Sequence, residues 1–360
     1  MMAGMVRKTW IVGGVCTVLA VGSTAAGAEY AWQVAGSHGQ DDAAGIVDSS
    51  RLTLAVSYYP RPVDDTRGPF ALAPFLSRSS YVTVGLSRAR EETELVGTWG
   101  WGGSPEFNSR LVELYGQSTA ESAAWSLSGR YVWPVSGWFA GGVVERGATE
   151  VSPGTQDMRR SAFLVVAGRY LGDTTTLDVS LGTDSNREDP DEVVCEAFAW
   201  RCYGLAGADT DTEEVAVSVR HVGELWGRGY AVEADARSSR SEYSLVLPRL
   251  LDPQRGPIAV DPSRRGEYAL DVGDKLYSYK RQLYVLSAQW FPTIALGVRL
   301  SYVNIRQDES GNADGVGLSA GWFLRRHLSA TVSFSRTRLD AFEPRFRDSD
   351  TASIRLLGRF

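Results

Sequence analysis

Lysine is nearly absent from this chain. Of 37 basic residues only Lys8, Lys275 and Lys280 are not arginine, a skew that fits a compositional bias of the genome better than an anion-binding function. Acids outnumber bases, and a formal balance of -6 excludes the basic surface that nucleic acid demands of a partner. Beyond the first 28 residues no apolar run reaches the roughly 18 residues of a membrane-spanning helix. Histidine is limited to His38, His221 and His327, and cysteine to Cys16, Cys195 and Cys202, which leaves little material for catalytic or metal-binding clusters.

What the chain has is glycine and aromatic residues. With 38 Gly, 11 Trp and 15 Tyr among 360 residues, the composition disfavours a helical bundle and suits twisted sheet with tight turns. The N-terminus reads as a signal peptide over residues 1–28. Arg7 and Lys8 precede the apolar run TWIVGGVCTVLAVGS, and small residues at Ala26 and Ala28 favour cleavage after Ala28. Cleavage would shift the balance to -8 and remove Cys16, whose preceding Gly13, Gly14 and Val15 fit a lipoprotein box poorly. In an exported chain, Cys195 and Cys202 within VVCEAFAWRCYG are expected to form a local disulfide, since a zinc site would need further ligands and no His is near.

From Tyr30 onward, stretches of about ten residues alternate apolar and polar, the length a tilted strand needs to cross a bilayer. In TIALGVRLSYV, Ile294, Leu296, Val298, Leu300 and Tyr302 oppose Ala295, Gly297, Arg299 and Ser301; HLSATVSFS and AWSLSGRYVW split in the same way. A soluble β-sandwich also alternates, so the ends of the strands decide. The runs RYVWPVSGW, GRYLGDT, AQWFPT and AGWFLRRH finish on aromatics beside very short turns, which matches an interfacial girdle rather than a sandwich core. The opposite faces carry Arg130, Arg169, Asp178, Glu214, Arg220, Glu233, Asp235, Arg299 and Arg355, tolerable only where that side is wet. Short turns near 134–136, 171–173, 292 and 325–326 interleave with longer polar connections near 147–158, 184–211, 239–279, 306–313 and 338–348. The predicted fold is all-β: residues 29–360 form one transmembrane antiparallel up-and-down barrel of about 16 strands, within a range of roughly 14 to 18, with both termini periplasmic.

These features together resemble a Gram-negative outer-membrane β-barrel. The final SIRLLGRF places Phe360, Gly358, Leu356 and Ile354 on one face, which is similar to the recognition signal for the barrel assembly machinery and implies that machinery as a partner. More narrowly, YYPRPVDDTRGPFALAPFLSRSS, residues 58–80, resembles the segment after the second strand in a poorly characterised family of candidate porins; it transfers no site residue. The resemblance implies an outer-membrane location, contact with lipid and lipopolysaccharide, and, by analogy with general porins, a homotrimer. General porins narrow the pore with a long third external loop, whereas here that connection falls near 119–121 and is short. About twenty residues around 60–79 fall on the periplasmic side and include a short helix near Phe70 to Leu76.

The function expected is a water-filled porin for passive diffusion of ions and small hydrophilic solutes, lined by the charged residues named above. The alternatives are a barrel hydrolase acting on lipid or peptide and a structural or adhesion barrel. A hydrolase needs a nucleophile and a base, and none of the three histidines sits in a recognisable motif; GGSPE is not a nucleophile elbow. Glu233 and Asp235 share a strand face, where lining charge is favoured over acid–base chemistry. The acidic stretches at 183–192 and 306–315 read as hydrated external loop rather than calcium sites. No cofactor and no metal are expected.

Overall fold

The computed structural model describes residues 29–43, 47–94, 117–152, 156–189, 194–195, 202–203, 207–246, 251–252, 256–257, 275–308, 312–339 and 348–360. The proposed signal peptide, residues 1–28, lies outside them. Fourteen strands make one closed sheet. They are β1 Glu29–Ala43, β2 Val47–Asp64, β3 Tyr81–Glu94, β4 Gln117–Val132, β5 Trp138–Ser152, β6 Gln156–Leu171 and β7 Thr175–Asp189. The second half comprises β8 Gly207–Leu225, β9 Arg228–Val246, β10 Lys275–Phe291, β11 Leu296–Gln307, β12 Ala313–Arg325, β13 Leu328–Leu339 and β14 Asp348–Arg359. Each strand pairs antiparallel with its sequence neighbours, and β1 pairs with β14 from Gln33↔Arg359 to Ala43↔Ser349. Phe360 completes the seam: its carbonyl accepts from the N–H groups of Ala31 and Trp32, and its own N–H donates to the Trp32 carbonyl.

The strand number corrects the sequence estimate of about sixteen. Residues 119–121, read as a short external connection, lie inside the continuous strand β4, so one expected hairpin does not exist there. The expected long connection at 147–158 also shrinks, because β5 runs to Ser152 and β6 begins at Gln156. At the other end of the barrel, turns join Val132 to Trp138, Leu171 to Thr175, Leu225 to Arg228, Phe291 to Leu296 and Arg325 to Leu328. The two-residue turn between Leu225 and Arg228 uses Trp226 and Gly227, both with positive φ (52° and 70°), which matches the twist of the flanking strands. Cys195 and Cys202 are backbone partners in a separate two-stranded ribbon; their side chains lie outside the described residues.

Alternation sorts the wall into two faces. On the outside, Leu300, Leu318 and Phe334 occupy one cross-strand row and Val298, Ala320, Val332 and Ile354 another, and most outward side chains of the belt are similarly apolar and exposed. On the inside, the same strands present Ser301, Gly317, Ser319, Ser333 and Ser353. An apolar belt outside and hydroxyls inside is the inverse of a soluble protein, and suits a wall between hydrocarbon and water. Val332→Arg, which puts a guanidinium against lipid at a cost of about 2–4 kcal/mol near the bilayer midplane, is expected to lower the yield of folded barrel. Ser333→Arg, one residue along and facing inward, should leave it near wild type; both are read as the fraction migrating as folded protein on unheated gels. Equal losses would contradict the assignment of faces.

Candidate functional site: the lumen and its floor

The link between β2 and β3 does not hang below the barrel. After β2 the chain turns at Asp64, whose carboxylate accepts from the Thr66 N–H (2.9 Å) and hydroxyl (2.6 Å). It then forms a 3-10 turn, Phe70–Leu72, and a single helical turn, α1, Ala73–Leu76. Pro69 and Pro74 start these turns, where a missing N–H costs nothing. The short helix expected from the sequence is therefore present, and its position is inside the mouth.

Contacts run round the whole ring of short turns. Leu72 and Phe75 are buried in one cluster with Val132, Phe139, Tyr170, Val222, Ala231 and Phe291, contributed by β4, β5, β6, β8, β9 and β10. Phe70 meets Phe323 of β12 with ring centroids 5.6 Å apart, and its N–H donates to the Ile294 carbonyl. Ala73 packs with Tyr30, Tyr59 and Val63 beside the β1–β2 seam. Pro69 comes so close to Gly229 that an added Cβ would lie 2.9 Å from its ring, so only glycine fits there. A segment touching hairpins on all sides must cross the opening: residues 65–80 are a floor across the lumen.

Three Trp–Phe dipeptides show how the sequence builds this end. In Trp138-Phe139, Trp290-Phe291 and Trp322-Phe323 the Trp is at least half exposed on the outer face, while the Phe is at most 8% exposed and meets the floor. Successive residues of a strand point oppositely, so each pair anchors a strand end to the membrane interface and to the plug at once. The strand-end aromatics read from the sequence as girdle thus divide between two jobs.

Guanidinium groups lock the floor. Arg220 lies 4.9 Å over Phe75, Arg326 5.7 Å over Phe70, and Arg359 stacks on both Tyr30 and Phe323. Arg78, itself on the floor, covers Tyr170, donates to the Gly172 carbonyl and pairs with Asp173. Arg130 stacks on Phe139 and Tyr81 and donates to the Ser79 carbonyl. Asp65, 2% exposed, has Arg326 at 3.8 Å. Such contacts contribute about 0.5–2 kcal/mol each, more where water is excluded.

Above the floor, eight of the nine proposed lining residues face the lumen. Arg299 donates to Glu233 (3.3 Å) and Ser287 (2.8 Å); Glu214 pairs with Arg237 (3.2 Å), which also lies 3.8 Å from Asp235. Arg130, Asp178 and Arg220 stand just over the floor, and Arg355 lies on β14 between Ser37 and Thr331. Arg169 is the exception and a correction: it pairs with Trp138 and stacks on that ring at 5.5 Å, on the outer parity of Phe163 and Val165. The sequence reading missed Arg237, two residues beyond Asp235 on the same face. It also missed Arg160, held by Asp184 (2.8 Å) and Glu145 (3.2 Å) higher in the lumen. The assembly residues Ile354, Leu356 and Gly358 share the outward parity and abut His38, Gly36 and Val34 of β1.

This architecture is that of outer-membrane barrels. Omp33 of Acinetobacter baumannii is similar at 15% identity, covering 93% of this chain and 100% of that one, with a TM-score of 0.50. CymD, a monoaromatic hydrocarbon channel, matches at 9% identity, 92% and 89% coverage, and TM-score 0.53. The toluene transporter TbuX of Ralstonia pickettii matches at 8% identity, 93% and 90% coverage, and TM-score 0.50. Identities this low establish the fold alone. No family model matches the chain, and no curated protein matches its sequence.

Because the floor rests on Leu72 and Phe75, truncation there should loosen it without opening the wall. Leu72→Ala, a core truncation worth about 2–5 kcal/mol, is expected to speed amide exchange in residues 70–79 by at least about tenfold. Strands β10 to β13 should stay protected when peptides are followed by mass spectrometry. Acceleration spread evenly over the barrel would mean that the segment is integral to the wall.

Proposed function

We propose that the chain is an outer-membrane channel for ions and small hydrophilic solutes whose periplasmic exit is closed by residues 65–80 and opens when that segment withdraws. The observation that carries this reading is a polar, charged inner face inside a fourteen-strand wall, interrupted where the floor crosses it. Barrels of about 8 strands are filled by their own side chains, and those of about 16 to 18 leave an aqueous bore. A width between these is blocked here by a dedicated segment, not by the wall. Fixed charges of both signs should make ion preference weak. A hydrolase reading is disfavoured by the placing of His38 and His221 on the outward parity, away from lumen solutes. Lipopolysaccharide around the belt, trimerisation and delivery by the assembly machinery belong to the same proposal, as does export through a cleaved leader.

Arg78 and Asp173 offer a direct test, since they join the floor to the β6–β7 turn. In a Cys195→Ser/Cys202→Ser background, Arg78→Cys with Asp173→Cys should give low planar-bilayer conductance when bridged by a short reducible dithiol cross-linker, which covers the reach of the Arg–Asp pair that a direct disulfide would not, and higher conductance after reduction. Large, equal conductance in both states would show that solutes do not pass the floor. Silence in both, with single-cysteine controls also silent, would remove the channel reading.

We further propose the Cys195–Cys202 disulfide: direct cross-strand partners have Cα atoms about 4.5–5.5 Å apart, a spacing that a disulfide spans. Unreduced, unfolded protein should resist thiol labelling; stoichiometric labelling of both would refute the bond.

A further inference from the structure

The lower lumen contains charges that its own wall leaves unmatched. Arg299 is joined to Glu233, and Arg237 to Glu214 and Asp235. Arg130 and Arg220 form no ion pair among the described residues, and the Nε of each is shielded from solvent without a hydrogen-bond partner. Their planes are taken up by aromatic rings, Phe139 and Tyr81 for Arg130 and Phe75 for Arg220. Apart from the one Arg130 donor that reaches the Ser79 carbonyl (3.4 Å), stacking of this kind leaves the guanidinium edges, which carry the donors, to another acceptor.

The acid complement stands beside them. Asp178 and Asp235 flank Ser218 in one cross-strand row of β7, β8 and β9. Arg220 belongs to the next inward row, between Thr176 and Glu233. Asp178 lies in the field of Arg130, Asp235 and Glu233, yet has no hydrogen bond or ion pair among the described residues. Arg355, on the far wall, stands apart from this group.

We propose that the lumen floor is a binding site for small zwitterions, solutes that carry a carboxylate and an ammonium a few bonds apart, as α-amino acids do. The carboxylate takes the edges of Arg130 and Arg220, and the ammonium takes Asp178 with Asp235 behind it. A simple anion would be attracted by the guanidiniums but repelled by the two aspartates, and a simple cation would meet the reverse. Only a dipolar solute gains at both ends. Phe75 and Leu72 beneath the site exclude water, which strengthens both contacts.

The site rests on the channel reading in one respect, that the lumen is open to the external side; it does not need the floor to move. Refolded full-length barrel in detergent is titrated with L-alanine, acetate and ethylammonium by saturation-transfer NMR. Alanine should bind roughly tenfold more tightly than either single-charge probe, the factor expected for a charge-assisted hydrogen bond gained. Asp178→Asn, which removes a charge and keeps the side-chain shape, should bring alanine to the level of acetate. Arg220→Gln should bring it to the level of ethylammonium. Alanine binding no better than the single-charge probes, or unchanged in both folded variants, would overturn the proposal. Binding that persists in a barrel silent in bilayers would sink the channel and leave the site; conductance without discrimination among the probes would do the opposite.

Discussion

Hydrocarbon offers no partner to a backbone N–H or C=O, and everything else in this molecule depends on that constraint. A sheet can satisfy it only by closing, so β1 must find β14, and Phe360 completes the seam with both of its backbone groups bonded to residues of β1. Closure then fixes the parity of every strand: a residue faces lipid or lumen according to its place in a register that no single strand can slip. Fourteen strands also fix a circumference well beyond that of the eight-strand barrels that wall side chains fill. Filling the mouth therefore needs chain from elsewhere, and the link between β2 and β3 is the stretch long enough to supply it at that end.

The scarcity of lysine acquires a physical use at this floor. A guanidinium can lie flat on an aromatic ring and still donate in its own plane, whereas an ammonium is compact and strongly hydrated. Arg78, Arg130, Arg220, Arg326 and Arg359 all stack on rings at the junction of floor and wall. Whatever set the compositional bias, the mouth exploits it: charged groups sit next to a buried apolar cluster without being stripped of their hydrogen-bonding edges. Arg130 and Arg220 in this way belong both to the floor and to the lumen above it.

Alternation made the wall legible in the sequence, and the same rule explains where reading it failed. In Phe163, Leu164, Val165 and Val166 both parities are apolar, because Val166 packs against the floor cluster while Phe163 and Val165 meet lipid. With no polar face to mark the lumen, the charge of Arg169 points it inward by sequence, although its neighbour Tyr170 is the buried residue. The floor hid for a related reason. Pro, Gly and Asp signal a turn-rich link, but nothing local tells that its Leu72 and Phe75 will be matched by Val132, Phe139, Val222 and Phe291 from four other strands. Those partners are nonlocal, and their pattern is visible only once the Trp–Phe pairs are seen to face two ways.

Floor and wall also differ in the kind of bond that holds them, which bears on how the mouth can move. Wall strands are tied by continuous backbone ladders that cannot be surrendered in lipid. The floor meets the wall through side-chain stacking and a few isolated hydrogen bonds, such as Phe70 N–H to the Ile294 carbonyl and Val132 N–H to the Ser80 hydroxyl. Segments without ladder bonds occupy the low-stability end of a protein's opening spectrum. At each Trp–Phe pair, withdrawal would release only the inner Phe; the outer Trp keeps its place at the interface, and the strand end keeps its register. The opening proposed for the mouth would therefore leave undisturbed the backbone closure that a membrane barrel requires.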